Sequence, residues 1–189
     1  MASYTDADTP SNCSTTIMDV CGSESRGVII LYSDIKDVSS MPQPPVEIGA
    51  LVDLAYVVSF SHLEFALHRV LYNQSKKGHL NALPSHICYA LSSSKNIPDT
   101  QKKYLPSGDT SNAAYLLIDP SDEYLSTLRS SIAAQSLAVE MTEAHFVTSL
   151  VTPEKSTALT AVFKLSPHEL KIGSLEDAIL MKVAVKEVV

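Results

Sequence analysis

GVIILY, residues 27–32, is an uncharged run rich in β-branched and long apolar side chains. A short run of this kind reads as a buried strand. A similar run, AAYLLI at Ala113–Ile118, ends at Asp119-Pro120. Ala158–Lys164 is expected to form another strand, with a short one at Leu137–Val139. Helical patterns lie between these segments. After Ser61-His62-Leu63-Glu64, a Ser-to-Glu capping pattern, Leu63, Ala66, Leu67, Val70 and Leu71 recur at three and four residues and make one apolar face. Lys76-Lys77-Gly78 gives that helix closing cations and a glycine stop. Further helices are expected after Leu83-Pro84-Ser85, near Asp99–Leu105, over Asp122–Ala134 and over Glu143–Leu150, with Pro153 stopping the last. The expected architecture is an α/β domain of two layers. It has a mixed or antiparallel sheet and an all-helical insertion after the first strand.

The 189 residues, 45% apolar and 19% charged, suit one globular domain with a substantial core. Residues 1–25 are rich in Ser, Thr and Asp, and are expected to be a disordered extension carrying Cys13 and Cys21. Residues 26–189 then make a single domain, with the helical insertion at 48–107 and a proline-rich loop at Ser39–Pro45. A formal charge of −7 argues against broad neutralisation of duplex phosphates, and so against DNA reading, while leaving room for a local groove holding a short single strand. Three cysteines without CxxC or Cys/His zinc spacing point to a reducing compartment, cytosol or nucleus. The N-terminus has neither the basic start nor the apolar centre of a signal peptide, and no apolar run is long enough for a bilayer.

The C-terminal stretch FKLSPHELKIGSLEDAILMKVAVKEVV, Phe163–Val189, is expected to form two capped helical pieces. Ser166-Pro167-His168-Glu169 caps a first turn that Gly173 ends; Ser174 restarts the helix, with Glu176 and Asp177 at its positive end. At about 100° per residue, Ile179 and Val183 form one apolar strip, continued by Leu180 and Ala184. Ala178, Met181 and Val185 lie opposite. An ordinary surface helix needs one apolar stripe. This one is expected to pack on its own sheet with one strip and to meet another chain with the other.

Chemistry-bearing motifs are scarce. There is no GxSxG, HExxH, P-loop or GxGxxG. His62 and His68 are six apart on one helix, and His86 and Cys88 two apart, so neither pair shares a helix face as a metal pair would. Neither a metal nor a cofactor is expected, and an enzyme is disfavoured. The competing reading is a small-molecule-binding α/β domain or enzyme, which requires a deep polar pocket with perturbed ionisable groups. Basic residues gather at Lys76-Lys77 with His79, and at Lys95 with Lys102-Lys103.

Several stretches, taken in order, resemble the TPRKB (PRPK-binding) family of KEOPS (EKC) complex subunits. They are Arg26–Tyr32, the Phe60, Leu63, Ala66, Val70 helix with its His62-Leu63, Ile87 with Leu91-Ser92 and Asn96-Ile97, and the block Phe163–Ser166, Ile172–Leu175, Asp177–Ile179 and Lys186–Val188. The chain departs from the family pattern at His86 and around Tyr104-Leu105-Pro106. The resemblance implies a non-catalytic regulatory subunit of cytoplasm and nucleus that docks on an atypical PRPK-type kinase/ATPase. It also implies a part in threonylcarbamoyladenosine modification of tRNA, with the single-stranded tRNA 3′ end as a second partner. Together with the helix pattern, it nominates Leu175, Ala178, Ile179, Met181, Lys182 and Val185 for kinase docking. His62, Lys76, Lys77, Lys102 and Lys103 are nominated for RNA.

Overall fold

The computed structural model describes residues 16–19, 25–78, 80–150 and 152–186; Cys13, Cys21 and His79 lie outside them. The strands are β1 (Thr16–Asp19), β2 (Arg26–Ser33), β3 (Gly49–Asp53), β4 (Ala113–Ile118) and β5 (Val139–Met141). The helices are α1 (Phe60–Lys77), α2 (Leu83–Leu91), α3 (Ile97–Tyr104), α4 (Asp122–Ala134), α5 (Glu143–Leu150), α6 (Pro153–Val162), α7 (Glu169–Ile172) and α8 (Leu175–Val185). The α/β class and the antiparallel sheet expected from sequence are observed.

β2 organises the sheet. On one side it pairs antiparallel with β4, from Gly27↔Ile118 to Tyr32↔Ala113, and β4 pairs in turn with β3. On its other side β1 takes the first half and β5 the second, with Thr16 opposite Ile29 and Leu31 opposite Met141. The pleat sends alternate side chains to opposite faces. Val28, Ile30 and Tyr32 meet Leu125, Leu128 and Ile132 of α4. Ile29 and Leu31 meet the Leu63, Leu67 and Leu71 stripe of α1, with Ile87 and Leu91 of α2. Helices thus cover both faces of an antiparallel sheet, which explains why GVIILY shows no polar alternation.

Four local expectations are corrected. Residues 48–59 were expected to open the helical insertion, but Gly49–Asp53 is a strand and helix begins at Phe60. The insertion therefore follows β3. Gly49 lies so close to β4 that a Cβ there would collide with the Leu116 carbonyl oxygen. Asp53 ends the strand by accepting from the Ala55 N–H at 2.7 Å and the Thr110 hydroxyl. The cap of α1 is Ser59, not Ser61: its hydroxyl accepts from the His62 N–H at 3.2 Å, which phases Phe60 and Leu63 into the core. Ala158–Lys164 is not a strand, because Thr152 caps and Pro153 starts α6 through Val162, leaving Leu159 and Phe163 four apart on a buried face. Finally, Thr16–Asp19, inside the expected disordered extension, pairs with β2. β5 pairs only with Leu31–Ser33, and the first half of that edge offers backbone partners to β1.

The last helix does not rest on the sheet as expected. Ile179 and Val183 of α8 pack with Val58, Leu159, Phe163 and Leu165, a cluster containing no strand residue. Phe65 on α1 borders this cluster, so α8 stacks on the helical layer.

Candidate functional site

α7 and α8 form a bent pair whose geometry is set by short-range polar bonds. The Ser166 N–H donates to Glu169 Oε2 at 2.7 Å, and the Glu169 N–H donates to Ser166 Oγ at 3.2 Å. At the start of α8 the Asp177 N–H donates to Ser174 Oγ at 3.1 Å, and the Ser174 N–H to Asp177 Oδ2 at 3.0 Å. The second is a reciprocal capping box; the first repeats its pattern of bonds in the turn that leads into α7, whose N-cap is His168. Lys182 Nζ lies 3.0 Å from Glu169 Oε1 and ties the two helices together. The Ser166 N–H and then Lys182 hold the Glu169 carboxyl down at about 2, and bonds from Ser174 hold Asp177 below its ordinary value.

This frame leaves apolar side chains in solvent. Ile172 is 76% exposed and Met181 65%. With Ala178, Gly173, Glu169 and Asp177 they line a groove of about 480 Å³. Val185 and Leu170 are also exposed. Large apolar side chains gathered on one face mark an interaction surface more often than scattered ones do.

The six nominated docking residues therefore divide. Met181 and Val185 face outward, and Leu175 and Ala178 are half-buried where the groove meets the cluster beneath. Lys182 is half-buried and engaged with Glu169. Ile179 is fully buried in that cluster and is corrected from contact residue to support. Ile172, which sequence reasoning passed over, is the most exposed large apolar residue of the face. The signal for it lay in ELKI: a helix of one turn has little inward face to bury an isoleucine.

The nominated RNA residues divide as well. His62 is corrected, because it is fully buried. Its Nε2 donates to the Leu91 carbonyl at 2.9 Å, its ring stands edge-on to Phe163, and Nδ1 is buried without a partner. Burial pushes its pKa down to about 4, so the ring is neutral at physiological pH. Lys76 is exposed near the end of α1, 5.6 Å over the exposed Tyr72 ring. Lys102 is exposed and Lys103 half-buried in the last turn of α3. The Lys77 side chain lies outside the described residues.

A second cleft, of about 500 Å³, opens between the end of β3 and α6, lined in part by Asp53, Asp109, Asn112, Thr152 and Lys155. Burial pulls the Lys155 pKa down to about 8. Its ammonium donates to the Leu54 carbonyl at 2.8 Å, and Asp53 is engaged by Ala55 and Thr110. These ionisable groups are thus bonded to the protein itself. Among the described residues no three His, Cys, Asp or Glu side chains gather as metal ligands, and no helix is long and apolar enough to cross a membrane.

The model of the kinase binding protein CGI-121 family matches residues 32–187. A zebrafish (Danio rerio) protein described as EKC/KEOPS complex subunit TPRKB is 25% identical over 169 residues, covering 84% of this chain and 90% of the relative. The family match begins at the end of β2 and takes in β3, the helical insertion, β4 and the C-terminal helices, including the exposed face of α7 and α8. The chain is a member of the CGI-121 kinase binding protein family.

Proposed function

We propose that this chain is a non-catalytic, kinase-docking subunit of an EKC/KEOPS-type assembly, and that the α7–α8 face is where the kinase sits. The observation that carries this reading is the solvent-exposed apolar set Ile172, Met181 and Val185, on the α7–α8 pair of a kinase binding protein family member. Covering each such side chain contributes on the order of 1.5–3 kcal/mol before the cost of association. Through that assembly the chain supports threonylcarbamoyladenosine modification of tRNA in cytoplasm and nucleus. The tRNA 3′ end is the second partner. Exposed Lys76 beside Tyr72 offers a cation and a stacking ring for it, and exposed Lys102 a further cation.

The test measures binding of a PRPK-type kinase to Met181→Glu. A carboxylate in the covered face is expected to weaken the complex by at least ~30-fold, with an unchanged melting temperature. A folded M181E chain that binds as the parent does sinks the docking assignment. For RNA, Lys76→Gln with Lys102→Gln is expected to weaken binding of intact tRNA and to flatten its salt dependence. Equal affinity for tRNA lacking the 3′ CCA would remove the 3′-end assignment.

A further inference from the structure

The carbonyl end of α2 collects donors from three other helices. The last carbonyls of a helix have no partner within it. Here Leu91 O accepts from His62 Nε2 of α1 at 2.9 Å and from the Tyr104 hydroxyl of α3 at 3.0 Å. The third donor is Lys186, the C-cap of α8. Its Nζ donates to Tyr89 O and, at 2.6 Å, to Ser92 O, and sits 3.6 Å over the centre of the Tyr89 ring. A second tie runs the other way: Arg69 Nη1 of α1 donates to Val183 O in the last turn of α8, at 2.9 Å.

Lys186 is 5% exposed, an unusual place for a lysine. A buried ammonium is tolerated only where hydrogen bonds and charge replace its water. The negative carbonyl end of α2 and the face of Tyr89 both do so. The arrangement therefore fixes more than the depth of α8. Ile179 and Val183 hold the helix down through non-directional contact, which leaves its direction free to slide. Directional bonds from Lys186 and Arg69 fix its C-terminal end, while the Ser174–Asp177 box and the Lys182–Glu169 pair fix its start.

We propose that Lys186 is a positioning residue for docking: by bonding the carbonyl end of α2 it holds α8 at the angle that presents Met181 and Val185 beside Ile172. The binding part of this proposal rests on the docking reading above. The part concerning α8 itself does not.

The experiment compares Lys186→Met and Lys186→Arg in the full chain, by amide hydrogen exchange and by kinase dissociation rate. With K186M, exchange in the last two turns of α8 is expected to rise by at least ~10-fold, the effect of losing a charged hydrogen bond, while β2 and β4 amides keep their rates. Kinase dissociation is expected to quicken by a similar factor, and K186R to recover most of both losses. Exchange that rises equally in α8 and the sheet, or in neither, overturns the proposal. Faster exchange with unchanged kinase dissociation overturns the positioning role alone. A kinase indifferent to M181E as well means that the docking reading has failed, and exchange then decides the α8 arm by itself. Should K186M not fold, Tyr89→Leu, which removes the ring beneath the ammonium, is expected to give a smaller rise confined to α8, and an unchanged pattern overturns the proposal.

Discussion

The core around β2 and the cluster beneath α8 bury the same kinds of side chain in different ways. Around β2, strand residues Ile29, Leu31, Ala114 and Leu116 interlock with the apolar faces of α1 and α2, and this core also holds the polar bonds of His62 and the Tyr104 hydroxyl to Leu91 O. Beneath α8 the buried set is small: Val58, Leu159, Phe163, Leu165, Ile179 and Val183. What it lacks in area is supplied by cations reaching backbone carbonyls. Lys155 bonds Leu54 O, Arg69 bonds Val183 O, and Lys186 bonds Tyr89 O and Ser92 O. The first region is held mainly by extensive burial, with uncharged donors on Leu91 O, and the second by a small burial plus cations bonded to backbone carbonyls. The exposed apolar residues Ile172 and Met181 take part in neither cluster, so folding does not account for them.

The sharpest way to break this contrast is Leu67→Ala. Leu67 is fully buried between α1 and the sheet, in contact range of Gly27. Its truncation is expected to remove roughly 2–5 kcal/mol from the whole molecule in denaturant titration. A loss below ~1 kcal/mol would mean that this core tolerates voids as a looser cluster does.

Acid tests the junction of the two regions, where His62 on α1 touches Leu91 O on one side and Phe163 on the other. Its folded-state pKa of about 4 lies below the ordinary value of 6.5. Between these values the unfolded chain binds a proton that the folded chain refuses, so stability falls as pH drops from 6.5 towards 4 and is unaffected by this group above 6.5. The loss attributable to His62 is on the order of 3 kcal/mol when fully developed below about pH 4. His62→Gln, which retains a donor for Leu91 O, is expected to flatten that part of the stability–pH curve. An unflattened curve would assign the acid sensitivity to other groups.

The smallest effect is expected at the outer face. Met181→Ala is expected to change stability by no more than ~0.5 kcal/mol, because the side chain is mostly in solvent. A larger loss in thermal unfolding would make Met181 part of the cluster beneath it, and would erase the distinction between holding and docking residues.

Much of this organisation was legible in the sequence where period and punctuation agreed. The α1 stripe, the helix over Asp122–Ala134, the Gly78 stop and the Gly173 break are local signals, and the chain obeys them. Legibility failed where partners are distant in sequence. Gly49–Asp53 is a strand because Leu116 and its neighbours stand opposite, a fact absent from any window around residue 50. The β-branched residues of Ala158–Lys164 suggested a strand, yet the Thr152-Pro153 start committed the segment to helix. The outer face of α8 was readable from its unusual girth. Which apolar strip lies inside was not, since the pattern alone gave Ile179 and Met181 equal claims. His62 misled for a related reason: a polar residue near the start of a helix reads as exposed, while in space its ring is turned into the core against Leu91 O.

The Ser174–Asp177 box also sets a phase. A helix advances by about 100° per residue, so its starting point decides which side chains point inward. One residue inserted between Leu175 and Ala178 would bring Ala178 and Lys182 to the places now held by Ile179 and Val183, turning a charge into the cluster, and would move Leu180 to the place of Met181 on the outer face. The two faces of α8 are thus read in a single frame, and the capping serine is the mark from which that frame is counted.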